Sequence, residues 1–559
     1  MSETARPSRQ VRRAQARRNQ PAPKAFRLER LAVPLLLAAG FVAYHNALRG
    51  PFVLDDIRAI HQNETIRTLW PPWNILSPPV HSPVTGRPLV NLTLALNYAI
   101  GGLNATSYHV FNLAIHLLAA VVLFGIIRRT LGDRPPGARH RQEATGLATA
   151  GALLWVVHPL TTESVDYTIQ RTELLMGLFF LLTLYCAIRG FEPRERRGWH
   201  GAALAAFVLG LGSKEVIVVA PAVVFVYDWL FDSSSLRDVL RRHWRLYAGF
   251  VAVLALYVLF VGTRLRGAFE GLSGRAVSPW HYALTQSRVI VHYLRLALWP
   301  YPLAADYDGW PIATSPGSVW PYLVVVLALV ALTLWGLVRR RKLAFLGIWF
   351  FFILAPTSSF RPVTTEVAAE RRMYLPLAAV VVLAVLGGYE ALRRQGASRP
   401  VRFGTTAALA LTLALVTMRR NDDYRTILGF WSDAVAKRPD SPRARLWLGY
   451  YLYIQGRSAE ALQQETEAVR LQPEMVEAQY SLGVVLANRG KLDDAIAHYR
   501  QAIRIKPGYV EAHYNLAIVL TRQGRKEEAA EHLETAIRLQ PDFSPARRAL
   551  AKIREGTNQ

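Results

Sequence analysis

Up to about residue 420 the chain alternates long apolar runs with short polar breaks; beyond it the sequence turns polar and helix-forming, rich in Ala, Glu, Gln, Leu and Arg. Runs such as LAVPLLLAAGFVAY (31–44), LLAAVVLFGII (117–127), YLVVVLALVALTLWGLV (322–338) and LAAVVVLAVLGGY (377–389) approach the roughly 20 residues needed to cross ~30 Å of hydrocarbon. The pattern predicts eleven membrane spans, at about 31–48, 107–127, 147–163, 172–190, 201–212, 215–231, 246–262, 318–338, 343–358, 374–392 and 403–418. Ser213, Lys214 and Glu215 interrupt the stretch 201–231, which therefore reads as two short helices with that triplet at an outer turn. VIVHYLRLALWP (289–300), short and carrying His292 and Arg295, reads as an interfacial or re-entrant helix. A rival assignment, with one tilted span over 201–231 and another over 289–300, strains both lengths.

Past residue 420, Pro439, Pro473, Pro507 and Pro541 are each 34 residues apart, the period of tetratricopeptide repeats. Leu448, Leu482 and Leu516 share one repeat position, Ala461, Ala495 and Ala529 a second, and Ala468, Ala502 and Ala536 a third. Small residues recur where two helices must approach closely. The sequence thus divides into a basic tail (1–30), a membrane domain (31–420) and a repeat domain (421–559). The repeats fall at about 439–472, 473–506 and 507–540, with a half-repeat containing Trp431 and Ala434 before them and a capping helix at 541–555 after them. The expected fold class is all-α, a polytopic bundle followed by an α-solenoid, and such stacks present a groove for peptides or proteins.

A net charge of +26 raises the question of nucleic acid, but Lys and Arg sit mainly in short loops between apolar runs, where the positive-inside rule places them. That argues against a nucleic-acid partner and for the bilayer itself. The first 30 residues hold nine Lys or Arg, and no small-residue cleavage site follows the first apolar run, so it reads as a retained signal-anchor with a cytoplasmic N-terminus. Cys186 is the only cysteine, which excludes a disulfide framework and a Cys-based metal cage. Eleven spans place the repeat domain extracytoplasmically, in the cytoplasmic or inner membrane if the chain is bacterial.

With that orientation the polar interruptions collect on the outer side: Asp55 and Asp56, Arg87, HPLTTESVDYTIQRTE (158–173), SKE (213–215), DYD (306–308) and AERRMY (369–374). A centrally placed ionisable residue costs about 2.5 to 3.5 kcal/mol on insertion scales, so Lys214 and Glu215 imply pairing or a polar cavity. Neighbouring residues point different ways on a helix or strand, so Asp55 and Asp56 divide their work, and either aspartate has a plain alternative as the N-cap of IRAIHQ. Lys214 has a plain alternative as an ion pair with Glu215 or a neighbour. His158 and Glu163 lack metal-ligand spacing, so no metal site is assigned. His109, Asn112 and His116 read as bonds between packed helices.

FVLDDIRAI, then GRPLVNLTLALNYAIGGLNATSYHVFNLAIHLL, then LLWVVHPLTTESVDYTIQRTELL, then SKE and AERRMYLP, followed by the repeats, resembles the transmembrane and tetratricopeptide repeat-containing O-mannosyltransferases, members of the membrane-embedded GT-C glycosyltransferases. The resemblance runs from about residue 30 to 555. It implies transfer of a sugar, mannose in that family, from a polyprenyl or dolichyl phosphate carrier to Ser or Thr hydroxyls of an extracytoplasmic protein or peptide acceptor. Carried onto this sequence, it implies catalysis at Asp55 and Asp56, with Asp55 favoured as the base and Asp56 as an acceptor-binding or capping group. Donor phosphate or sugar contacts would come from Arg87, Arg171, Lys214, Arg371, Arg372 and Tyr374, with support from His158, Glu163, Glu173, Glu215 and Glu370; Asp306 and Asp308 join the supporting set from the outer-side polar pattern alone. The lipid-linked sugar is the only small molecule implied; assistance by a divalent cation is open. Arg372 is an extra charge in the last motif and leaves open which arginine meets the phosphate. The alternatives are a non-catalytic envelope scaffold, or a glycan polymerase or ligase using a diphosphate-linked donor.

Overall fold

The computed structural model describes residues 25–80, 82–132, 143–192, 196–264, 277–359, 362 and 366–555, and most of the expected basic tail lies outside that set. Among the described residues every regular element is a helix. Seven are long and apolar enough to cross a membrane: Leu31–Arg49, Ala105–Gly132, Thr168–Gly190, Leu236–Phe260, Trp320–Val338, Pro376–Arg394 and Arg399–Asp422. An eighth is made by Ala144–Val156 and Pro159–Asp166, bent by 53° at a short break. Pro159 has no N–H with which to continue the helical ladder there.

The other three expected spans are occupied by shorter helices, Gly198–Leu211, Ala220–Phe231 and Ala344–Leu354. At 1.5 Å per residue a twelve-residue helix covers about 18 Å, so these do not cross the hydrocarbon alone. Eleven apolar segments therefore resolve into seven self-sufficient spans, one bent pair long enough to act as an eighth, and three partial ones. The break in 201–231 falls where Ser213 and Lys214 interrupt the run: a single-turn 3-10 helix, Glu215–Val219, separates the two pieces. Residues 289–300 belong largely to a longer helix, Pro279–Leu298, started by Pro279 at its first turn and by Ser278, whose side chain accepts from the His281 N–H.

Burial separates central from peripheral helices. In Thr168–Gly190, 72% of the most apolar stretch is buried, against 11% in both Trp320–Val338 and Arg399–Asp422. The former is the axis of the bundle; the latter two leave their Leu and Val side chains for lipid.

The repeat domain follows the 34-residue pattern closely. Helix pairs Pro442–Ile454 with Ser458–Leu471, Val476–Asn488 with Leu492–Ile505, and Val510–Arg522 with Lys526–Leu539 are followed by the cap Ser544–Glu555 and preceded by the half-repeat Ile427–Lys437. Gly456, Gly490 and Gly524 take positive φ values at the turn inside each pair, a conformation that costs other residues a clash at Cβ. Ala461, Ala495, Ala529, Ala468, Ala502 and Ala536 are all fully buried, as close helix approach requires. The first repeat does not hang free of the membrane domain. Phe430, Trp431, Ala434, Ala444, Leu448 and Leu452 belong to the same apolar core as the membrane helices, whereas the second and third repeats form most of a core of their own.

Candidate active site

The Asp55–Asp56 turn follows buried Phe52 and Val53 and passes through Leu54 at φ 49°, a left-handed conformation uncommon outside glycine. Two anchors hold it. The Asp56 carboxylate accepts the Val53 N–H through Oδ2 at 3.0 Å and the Ile169 N–H through Oδ1 at 2.7 Å. The Asp55 N–H donates to the Tyr167 hydroxyl at 2.9 Å. Asp56 is fully buried, whereas Asp55 is exposed, and among the described residues none donates a hydrogen bond to its carboxylate. Asp56 stands at the N-terminal boundary of the one-turn helix Ile57–His61 but makes no side-chain capping bond to it; its carboxylate instead ties the turn to the 167–170 segment. Burial pushes the Asp56 carboxyl up to about 7, with the two backbone N–H groups pulling against that rise.

A second group of residues alternates cations and carboxylates. Arg371 pairs with Glu163 and Glu366, and its own N–H donates to Glu163 Oε2 at 2.8 Å. Lys214 pairs with Glu173, and Arg87 stands 3.7 Å from Glu215. The plain alternative for Lys214 is therefore realised, although with Glu173 instead of the adjacent Glu215. Burial lowers the Lys214 pKa, and the Glu173 charge works against that shift. Glu173, Val216, Arg371, Arg372 and the predicted Tyr374 line one small cleft. Tyr167 links the two groups, standing within electrostatic reach of both Asp55 and Arg371.

Other residues singled out in the sequence are engaged in bracing. The fully buried Arg171 directs its guanidinium to Asn112 Oδ1, the Thr93 carbonyl and the Tyr108 carbonyl, at 2.8 to 3.1 Å. These contacts join three helices and turn it away from the cleft. The Tyr374 hydroxyl bonds to His116 at 3.0 Å, while His158 accepts from the Leu160 N–H and reaches the Ala297 carbonyl at 3.2 Å. Arg372 donates to the carbonyls of Thr357, Glu366 and Val367. Of the two neighbouring arginines, Arg371 meets carboxylates and Arg372 ties down its own loop. His109, Asn112 and His116 do bond across packed segments, to Gly50, to Val165 and Thr168, and to Val156 and Tyr374.

Asp306, Asp308 and Glu370 face a third direction. Glu370 Oε1 accepts from the Ala304 N–H at 2.6 Å and from the Tyr307 hydroxyl at 2.7 Å. Burial pushes Glu370 up to about 7, against the pull of Arg420. Asp306 accepts from Ser441 and Arg443, and Asp308 from the Arg443 N–H, all on the first repeat. Among the described residues, the buried side-chain oxygens of Ser164, Asp166 and Thr168 have no hydrogen-bond partner.

Sequence reasoning missed Tyr167, Glu366, Arg420 and Arg443. Two of these left a trace. Arg420 ends the last apolar helix on the side the eleven-span reading calls outer, against the positive-inside tendency. Arg443 occupies a repeat position filled by Glu477 and Glu511 in the next two repeats.

Residues 81–261 match the family model described as dolichyl-phosphate-mannose-protein mannosyltransferase, and residues 430–474 and 486–553 match tetratricopeptide repeat models. Protein O-mannosyl-transferase Tmtc3 of Drosophila melanogaster is 27% identical over 500 residues, covering 76% of this chain and 54% of the relative. Protein O-mannosyl-transferase TMTC1 of Homo sapiens is 27% identical over 491 residues, with 77% and 54% covered. Protein O-mannosyl-transferase TMTC2 of Homo sapiens is 30% identical over 246 residues, with 41% and 28% covered. The resemblance drawn from the motifs thus extends over most of this sequence, which spans about half the length of the first two relatives.

Proposed function

We propose that this chain is a membrane glycosyltransferase that moves a sugar, mannose by its resemblance, from a polyprenyl or dolichyl phosphate carrier to a Ser or Thr hydroxyl of a protein acceptor. The observation that carries the reading is the divided acidic pair: a buried Asp56 fixing the turn, and an exposed Asp55 whose carboxylate accepts no hydrogen bond among the described residues.

The chemistry follows from that layout. Asp55 takes the proton of the acceptor hydroxyl as its oxygen attacks the anomeric carbon, the bond from that carbon to the lipid phosphate oxygen breaks, and the configuration inverts. The departing phosphate carries the developing charge, and Arg371, Lys214 and Arg87 are the cations placed to receive it. Each is paired with a glutamate, so a phosphate enters by taking over part of that pairing. The apolar faces of the surrounding helices suit a polyprenyl tail, and the repeats suit the acceptor protein, raising its effective concentration near Asp55. The Asp55 face and the repeats lie outside the cytoplasm, with the N-terminus inside.

The direct test gives the purified protein labelled polyprenyl-phosphate mannose and a Ser/Thr peptide. Transfer, or slow donor hydrolysis without acceptor, supports the reading; neither would leave a scaffold, and use of only a diphosphate-linked oligosaccharide would indicate a polymerase or ligase. A cytoplasmic signal from a reporter fused after residue 559 would overturn the orientation.

A further inference from the structure

The three repeats share a backbone plan, so positions 34 residues apart can be compared within the chain. Arg443 corresponds to Glu477 and Glu511, and Ser441 to Met475 and Tyr509. A reversal of charge at one repeat position calls for a local cause, and the membrane domain supplies it. Arg443 Nε donates to Asp306 Oδ2 at 3.3 Å and its Nη2 to Asp306 Oδ1, while Ser441 Oγ donates to Asp306 Oδ2 at 3.0 Å. The Arg443 N–H reaches Asp308 Oδ2 at 3.4 Å. Gly309, at φ 73°, lets the two backbones meet: a Cβ there would lie 3.1 Å from the Asp440 carbonyl oxygen. A glutamate at 443 would set a third carboxylate against Asp306, which is 5% exposed, and Asp308.

The loop so held is anchored at its other end by Glu370, through the Ala304 N–H and the Tyr307 hydroxyl. Glu370 is also approached by the buried Arg420 at 4.0 Å, and Arg420 in turn pairs with Asp423 at 2.8 Å and with Asp433 of the half-repeat at 2.9 Å. Two chains of contacts from the repeat domain therefore converge on Glu370, and the next residue is Arg371. Asp55 adds to the field around Arg443, so the arginine also belongs to the electrostatic surroundings of the acidic turn.

We propose that Arg443 is a positioning residue: by gripping Asp306 it fixes the 303–308 loop and, through Tyr307 and Glu370, the placement of Arg371, making the first repeat a built part of the catalytic site. The step from Arg371 to the donor phosphate rests on the function proposed above. The grip on the loop does not.

The test uses the full-length protein in lipid nanodiscs, with Arg443→Ala, Arg443→Lys and, as a control in the third repeat, Arg525→Ala, whose side chain pairs with Glu528. In Arg443→Ala, amide hydrogen exchange over 303–308 and 369–374 is expected to quicken about 10-fold, the mark of local opening. The Michaelis constant for polyprenyl-phosphate mannose rises by a similar factor of about 10 while that for a short peptide stays within about twofold. Arg443→Lys, which keeps the charge and loses the two-pronged geometry, falls between wild type and Ala. Loss of folded protein would lower kcat and move neither Michaelis constant. Wild-type exchange at 369–374 in both Arg443 variants, or an equal change in Arg525→Ala, overturns the proposal. A wild-type protein that neither transfers nor hydrolyses the donor defeats the proposed function, and the exchange data still decide the positioning.

Discussion

Two buried polar networks in the membrane domain show how similar residues end up with different work. In one, at the end of helix Ala220–Phe231, every oxygen of the Asp228 carboxylate has a donor: Ser233 at 2.7 Å on Oδ1, and His243 at 2.7 Å with Tyr247 at 2.8 Å on Oδ2. Arg340 closes the arrangement by donating to the carbonyls of Trp229, Ser233 and Ser234. In the other, Asp55 leaves its carboxylate exposed, Arg371 and Lys214 pair with glutamates, and among the described residues the buried oxygens of Ser164, Asp166 and Thr168 have no hydrogen-bond partner. A satisfied network fixes a fold. An incompletely satisfied one calls for a further explanation, and a bound ligand is the one the proposed function offers. Asp228, Asp232 and His243 also place one ligand atom each within 4.8 Å of one another, but with both Asp228 oxygens already engaged the cluster reads first as a helix-end lock.

The sharpest way to break this contrast is to exchange the two carboxylates for neutral groups. Asp55→Asn is expected to reduce transfer by about 10²- to 10⁴-fold, the usual range for loss of a general base, with unfolding temperature and donor binding close to wild type. Full activity in Asp55→Asn would remove it from the chemistry, and loss confined to Asp56→Asn would move the base to Asp56. Asp228→Ala is expected to do the reverse. It strands three donors and costs on the order of 2 to 4 kcal/mol of stability, read as a lower unfolding temperature, while kcat per folded molecule holds.

Next in size is Lys214→Gln, expected to raise the Michaelis constant for the lipid-phosphate donor by about 10-fold, roughly the 1.4 kcal/mol of one charge-assisted contact. The peptide Michaelis constant should not follow. If both rise together, Lys214 supports the fold through Glu173 and does not meet the donor.

How much of this was legible in the sequence depended on whether the signal was local. The 34-residue spacing of Pro439, Pro473 and Pro507 fixes the repeat helices because each repeat is a local unit whose small residues meet within one helix pair. The apolar runs fixed where helices lie but not how many cross alone: 344–354 and 220–231 are as apolar as true spans, and only their length in space separates them. At the site, Asp55 and Asp56 stood out as adjacent acids, yet no local pattern says that Asp56 would find the Ile169 N–H 113 residues away. Arg171 and Tyr374 stand out by resemblance, and only packing reveals that Arg171 bonds to the Asn112 side chain and two backbone carbonyls and that the Tyr374 hydroxyl meets His116.

The smallest predicted effect reads the burial of Asp56 through its response to pH. Burial holds Asp56 near 7 in the folded protein against an ordinary value of 3.8. The folded state then binds a proton that the unfolded chain has released, so this group favours the folded state fully below pH 3.8, and its contribution declines as pH rises toward 7. The slope is at most about 1.4 kcal/mol per pH unit within that window. Glu370, also raised to about 7 by burial, adds a decline of the same sign, starting from an ordinary value of 4.5. Asp56→Asn removes its own contribution, so its unfolding temperature should fall less steeply between pH 5 and 7 than that of the wild type. Parallel curves for the two proteins would mean that Asp56 stays ionised on its two backbone donors, with those hydrogen bonds outweighing burial.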